Sequence, residues 1–259
     1  MSDQPDITGE FDRAHSARLA SPTLHRIWQQ AYGEDYPEAV TPSAFYALST
    51  LRRLREGLHL AAGTTVADLG CGNGGAGLWL ARELGVGVIG IDLSGSGVAN
   101  ASRRAAQLGL VSQVQFRTGD LTATGLPPAS CDGAICLDVL PFVPDKTAAF
   151  REVARILRPG ARFAFTTWEQ DGFSSRLNAQ QLPDYRPPLV EAGFAIELYE
   201  EPLYWRQQQR AALEGLLSAK AELAAELEPS LVDQYVRLAN GMLVDMAARR
   251  YVSAIARRG

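Results

Sequence analysis

Over 42–59 the apolar residues Phe45, Leu48, Leu51, Leu54 and Leu58 recur at the spacing of one helix face, which predicts an amphipathic helix. Ahead of it, Ser21–Pro22 has the form of a serine cap followed by proline in the first turn. The stretch from there reads as a shorter helix, closed by Gly33 and Pro37. Residues 1–20 read as a loose arm. Downstream the period changes. "TTVADLG", "VGVIGID", "VQFRTGD", "DGAICLD" and "RFAFTTW" are short apolar runs rich in β-branched and aromatic residues, separated by helical stretches near 74–84, 95–109 and 146–157. Strands alternating with helices imply an α/β, Rossmann-like fold, a mostly parallel sheet covered on both faces. One more helix and the strand "FAIELYE" follow, then a long amphipathic helical region over 206–247 and a last strand in "YVSAIARR". The organisation read from these patterns is an arm at 1–20, a helical cap at 21–60, and an α/β domain at 61–259 with a helical lid insertion at 206–247.

Composition narrows the class of partner. The chain has 259 residues, a formal net charge of -4, and arginines that are scattered or paired rather than gathered into a stripe. No nucleic-acid partner is expected, because the charge that dominates such binding is missing. Cys71, Cys131 and Cys136 show no zinc spacing, so reduced thiols and a cytoplasmic location are expected. "MSDQPDITGEFDRAHSA" is acidic where a signal peptide would be basic and then apolar, and no apolar run nears the roughly 20 residues of a membrane span.

The decisive stretch is "VADLGCGNGG", a buried strand entering a glycine turn. Gly70, Gly72 and Gly75 fit the dinucleotide pattern G-x-G-x-x-G, whereas Asp68, Gly70, Gly72 and Gly74 fit D-x-G-x-G-x-G. The glycines alone do not choose between them. Asp92 closes the second strand where a carboxylate would accept both hydroxyls of a ribose, which points to a nucleoside without naming it. Asp120, after the third strand, suits an adenine amino group. A short-chain oxidoreductase would need Tyr-x-x-x-Lys, and the only lysines are Lys146 and Lys220.

In order and spacing, "VADLGCGNGGAGLWLA", "GIDLS", "FRTGDLTATGLP", "CDGAICLDVLPFVPD" and "LRPGARFAFTTW" resemble the motif series of the class I S-adenosylmethionine-dependent methyltransferases over 60–200. The resemblance implies a seven-stranded sheet with an antiparallel last strand, "FAIELYE" and "YVSAIARR" pairing at its edge. It implies S-adenosylmethionine as cofactor and S-adenosylhomocysteine as product. Asp68 and the backbone of Gly70 and Gly72 would hold the methionine amino group, and Asp92 the ribose. Leu93 and Leu121 would flank the adenine, Asp120 would meet its amino group, and Leu137 would lie near the sulfonium. Tyr32 or Tyr36 would cover the cation, and Thr50 would reach the methionine carboxylate. The competing readings are structural: Asp68 as a helix cap, Asp120 as a turn aspartate.

Methyl transfer asks mainly for positioning and desolvation, and a base only where the acceptor must lose a proton. Asp138, in "CLDVLPF" at the carboxyl edge of the sheet, and His25, on the cap helix, are the candidates for that base. In catechol-type relatives an acid at the position of Asp138 binds a metal, with an Asp-Asn pair after the fifth strand. The chain reads "TTWEQD" there, so no metal is expected. Trp168, Phe173, Tyr204 and Met242, with Trp205 and Met246, are the apolar candidates for the acceptor pocket. The function expected is methyl transfer to O, N or C of a small, partly apolar molecule by a monomer or homodimer. A nicotinamide-dependent oxidoreductase and a non-methylating S-adenosylmethionine-binding protein remain as alternatives.

Overall fold

Two helices come first, α1 (Ile7–Ala20) and α2 (Pro22–Tyr32), followed by α3 (Leu48–Leu58) and the alternation β1 (Thr65–Leu69), α4 (Gly75–Leu84), β2 (Gly87–Asp92), α5 (Gly95–Gln107) and β3 (Val114–Thr118). After β4 (Cys131–Leu137) come α6 (Lys146–Ile156), β5 (Leu157–Glu169), α7 (Arg186–Glu191) and β6 (Phe194–Glu200). The insertion is α8 (Trp205–Ser218), α9 (Lys220–Glu226) and α10 (Pro229–Asp245), and it leads into β7 (Arg250–Arg258). This computed structural model describes residues 7–40, 45–171 and 181–259.

The seven strands form one sheet in the order β3-β2-β1-β4-β5-β7-β6. β1 to β5 run parallel, and β7 is antiparallel to both of its neighbours. This is the sheet expected from the sequence, edge pair included. Its residues alternate between two cores, as the period of a strand requires. Val66 packs with Leu51, Leu54 and Leu78 on one face, while Ala67 and Leu69 pack with Phe150, Phe163 and Phe165 on the other. The order reverses between β1 and β4, the place where doubly wound sheets open a crevice at their carboxyl ends.

A third core roofs that crevice. Leu24, Ile27 and Trp28 of α2 pack against Leu213 and Leu216 of α8, and the cluster reaches the sheet through Phe45, Trp168 and Tyr251. Ser21 caps α2 by accepting the Leu24 N–H at 3.1 Å, and Glu226 of the insertion accepts the hydroxyls of Ser21 and Thr23. Cap and insertion are thus one layer, with the cap's first turn hydrogen-bonded to α9. The insertion is three helices, broken at Ala219 and before Pro229, which occupies a first-turn position.

Two expectations are corrected here. Residues 7–20, read as a loose arm, form helix α1. Polar and apolar residues do not separate cleanly around it, so the helix is held by tertiary contacts rather than by its own pattern. Asp12 accepts the Ser94 hydroxyl at 2.6 Å and the Ser96 N–H at 3.0 Å, and Asn73 donates to the His15 carbonyl at 3.0 Å. Phe45, assigned by spacing to the second helix, lies ahead of it in non-helical chain. Its carbonyl accepts the Tyr32 hydroxyl at 2.9 Å, and its N–H is bound by Asp138 at 2.7 Å. Among the described residues no helix is long and apolar enough to cross a membrane.

Candidate functional site

A cavity of about 260 Å3 opens at the carboxyl ends of β1, β2 and β4, beneath α1 and α10. Its floor is the β1–α4 turn. Gly70 and Gly72 have φ of 77° and 49°, the left-handed region that glycine enters without strain. A Cβ on Gly70 would stand 2.3 Å from Val139, and one on Gly72 would stand 2.7 Å from the His15 ring. The turn is fixed from outside, since the N–H groups of Gly70 and Cys71 both donate to the Ile91 carbonyl, at 2.7 and 3.1 Å. A bare peptide surface thus faces the cavity, held against the end of β2.

Two acids flank that surface. Asp68 ends near the floor, 3% exposed, with Oδ2 accepting the Gly77 N–H at 3.0 Å. It supplies the cap that Gly74, without a side chain, cannot give α4. Burial pushes its carboxyl up to about 7, Gly77 opposes the rise, and the charge of Asp92 adds to it. Oδ1 has no hydrogen-bond partner among the described residues. Asp92, 8% exposed, accepts the Gly72 N–H on Oδ2 at 2.7 Å and the Ser94 N–H on Oδ1 at 2.8 Å. Burial raises its carboxyl above the usual range against those two donors. Each of its oxygens keeps a second lone pair.

Toward the mouth stand Leu93, exposed, and Leu121, buried, with Asp120 between strand and turn. Asp120 binds the N–H and hydroxyl of Thr122, both at 2.7 Å, so it is a turn aspartate as well as a wall of the cavity. Leu137 lies at the end of β4. Asp138 follows it with φ of 61°, unusual for a residue with a side chain. Its carboxylate accepts three hydrogen bonds, from Phe45 N–H, Thr166 Oγ1 and Tyr251 Oη, each at 2.7 Å. Burial raises the carboxyl, and those donors oppose the rise. Four segments meet at this one side chain, and that anchoring holds its unusual backbone in place.

The far end is mostly apolar, walled by Phe45, Leu137, Trp168, Leu238 and Met242, with Gln170 and Arg249 also lining it. Trp168 is held by its Nε1–H on Gln209 Oε1 at 3.1 Å. Of the residues read from the sequence, Asp68, Gly70, Gly72, Asp92, Leu93, Asp120, Leu121, Leu137, Asp138, Trp168 and Met242 line the same cavity.

Seven others stand elsewhere, three of them, Tyr36, Trp205 and Met246, buried in the roof core. Tyr32 is buried behind Phe45, bound to its carbonyl, and Thr50 is buried in α3; neither lines the cavity. His25 is on α2, away from the cavity, because the cap helix turns its buried face to α8. Tyr204 is 70% exposed at the start of α8, where the chain turns outward with φ of 62°. Phe173 falls outside the described residues. Among the described residues no group of three or more His, Cys, Asp or Glu side chains is arranged to hold a metal ion.

The sequence reading missed the wall formed by α1 and that formed by residues 139–144 after β4. Phe11, His15 and Arg18 of α1 line the cavity, and their spacing of four and then three residues puts them on one helix face. That spacing is the signal available in the sequence. Burial, with the charge of Arg18 nearby, drives the His15 imidazole down to about 3, so it is neutral at physiological pH.

Comparison with known proteins bears on this geometry. Residues 67–165 match the family described as "Methyltransferase domain". Methyltransferase GfsG of Streptomyces halstedii is 31% identical over 178 residues, 63% of this chain and 64% of that protein. The chain spans 64% of the length of that relative and 23% of phosphoethanolamine N-methyltransferase 1 of Arabidopsis thaliana. The fold is shared with phosphoethanolamine N-methyltransferase 2 of Haemonchus contortus in complex with S-adenosyl-L-methionine (TM-score 0.75, 20% identity, 99% of this chain and 60% of that one). It is also shared with the [4+2]-cyclase SpnF (TM-score 0.71, 24% identity, 81% of this chain and 80% of that one).

Proposed function

The chain carries a class I methyltransferase domain, and from that premise we propose that it moves the methyl group of S-adenosylmethionine to an oxygen, nitrogen or carbon of a small, partly apolar molecule. The observation that carries this reading is the pair of buried acids, Asp68 and Asp92, on either side of a bare glycine turn in one cavity. The residues present fit the cofactor. The open lone pairs of Asp92 suit the ribose hydroxyls, and the unpartnered Oδ1 of Asp68 suits the ammonium of the amino-acid tail. Leu93 and Leu121 would flank the adenine, with Asp120 toward its amino group. When bound, the cofactor supplies an electrophilic methyl carbon on a sulfonium.

The chain's own part is to position and desolvate. Phe45, Trp168, Leu238 and Met242 would hold the acceptor out of water beside Leu137. Asp138 serves by tying the Phe45 segment to β5 and β7, its carboxylate already holding three donors. A small acceptor suits a roofed cavity of about 260 Å3 better than a macromolecule does.

The test is transfer of a labelled methyl group from S-adenosylmethionine to a panel of phenols, amines and enolisable carbon acids. Label in an extracted acceptor, with equal S-adenosylhomocysteine, is expected. The alternative outcome is a protein that binds the cofactor without transferring its methyl group. Tight cofactor binding with no demethylated product across the panel would favour that alternative.

Asp68 makes cofactor binding depend on pH. In the free protein its carboxyl titrates at about 7, whereas a bound ammonium favours the carboxylate. Affinity for S-adenosylhomocysteine should rise with pH, by at most about tenfold per unit, and level off above pH 7. Asp68→Asn should flatten the profile. Calorimetric titrations from about pH 5.5 to 8 would read both, and a flat wild-type profile would remove Asp68 from this role. The same shift acts on folding with the opposite sense. The folded state binds the Asp68 proton more tightly than the unfolded chain, so this group's contribution to stability declines as pH rises from 3.8 toward about 7.

A further inference from the structure

The amino-acid tail of the proposed cofactor carries an ammonium and a carboxylate, and the acids of the floor answer only the first of these charges. A carboxylate brought into a roofed cavity is costly unless a cation or several donors meet it. Among the described residues two cations line this cavity, Arg18 and Arg249. Arg249 precedes β7 at the acceptor end. Its Nε donates to Gln170 Oε1 at 2.8 Å, and its guanidinium lies 3.8 Å from Asp245, so it is built into the join between sheet and insertion.

Arg18 stands on the cofactor side. It follows His15 by three residues on the cavity face of α1, and the His15 ring packs directly on Gly72. Its charge acts on both His15 and Asp92, which places the guanidinium close to the groups bordering the glycine turn. It does not bond to Asp92, whose oxygens take the N–H groups of Gly72 and Ser94. Arg18 Nε is buried and has no hydrogen-bond partner. A buried donor left unpaired beside a cavity calls for an acceptor from outside the chain. Arg18 therefore supplies the charge that the floor lacks, on a helix latched to α5 through Asp12.

We propose that Arg18 receives the carboxylate of the cofactor's amino-acid tail, so that α1 grips the bound nucleoside from above while Asp68 and the glycine turn hold it from below. The inference rests on the S-adenosylmethionine reading and adds to it a positioning residue on α1.

Three ligands test it on the full chain by calorimetry: S-adenosylhomocysteine, its decarboxylated counterpart ending in a propylamine, and 5′-methylthioadenosine, which has no amino-acid tail. Wild type should prefer S-adenosylhomocysteine to the decarboxylated ligand by about tenfold or more. In Arg18→Ala, S-adenosylhomocysteine should weaken by about tenfold while the other two change by less than about twofold, so the preference collapses. Arg18→Lys should restore part of it, because the charge returns without the planar fork. Retained binding of 5′-methylthioadenosine reports that the variant is folded, and Arg18→Gln, which keeps much of the side chain's length, replaces Arg18→Ala if it is not. Equal weakening of all three ligands, or an unchanged affinity for S-adenosylhomocysteine, would overturn the proposal. A wild type that binds none of the three would remove the cofactor reading itself.

Discussion

Asp92→Ala should raise the dissociation constant for S-adenosylhomocysteine by about a hundredfold. The carboxylate that the substitution removes has two tasks. It orders the floor by accepting the N–H groups of Gly72 and Ser94, and in the proposed reading its remaining lone pairs would receive the ribose hydroxyls. A hydrogen bond to a charged group contributes about 1.5–3 kcal/mol, so two ribose hydroxyls left without a charged acceptor cost about 3 kcal/mol or more. That converts to about two decades of affinity. Asp92→Asn keeps one acceptor oxygen and should lose about tenfold. Calorimetry reads both values. 5′-Methylthioadenosine carries the same ribose and should weaken in parallel, which sets this variant apart from substitutions at Arg18. An unchanged constant would take the ribose away from Asp92.

Gly70→Ala should destabilise the fold by about 2–5 kcal/mol. A left-handed φ costs an alanine roughly 1–2 kcal/mol, and overpacking adds about 1–3. Both apply here, since the new methyl would stand 2.3, 2.6 and 2.9 Å from three side-chain atoms of Val139. Relief must come from moving the β4 loop or the turn, and either motion deforms the cavity floor. Gly63→Ala is the comparison. Gly63 also has a positive φ, 80°, but nothing lies within 4 Å of its Cβ position, so only the backbone cost of about 1–2 kcal/mol is expected. Urea denaturation of the two variants separates strain from collision. Equal losses would mean that the contact with Val139 relaxes freely.

Much of the site was legible because it depends on short stretches of chain. Asp68, Gly70 and Gly72 belong to one strand end and its turn, and Asp92 stands where β2 leaves the sheet. A strand that ends in an acid and enters a glycine turn has few structural alternatives, so type and spacing located the floor. Even there, one reading became two roles: Asp68 caps α4 while facing the cavity, and Asp120 binds its own turn while lining the mouth. Residues chosen for the roof fared differently. Tyr32, Thr50 and His25 lie on helices whose periodicity shows that one face is buried but not what it is buried against.

What the sequence determined by itself is the sheet with its two cores, the glycine turn and the acids at the strand ends. All of these follow from local period, local backbone preference and the position of a side chain at the end of a strand. What only the tertiary structure decided is the roof. α1 is weakly patterned, and its place across the cavity depends on Asp12 meeting Ser94 and Ser96, more than 80 residues along the chain. Asp138 became an anchor because Phe45, Thr166 and Tyr251 converge on it from three separate segments. Local pattern records which face of an element avoids water; which distant partner covers that face is settled only when the whole chain has packed.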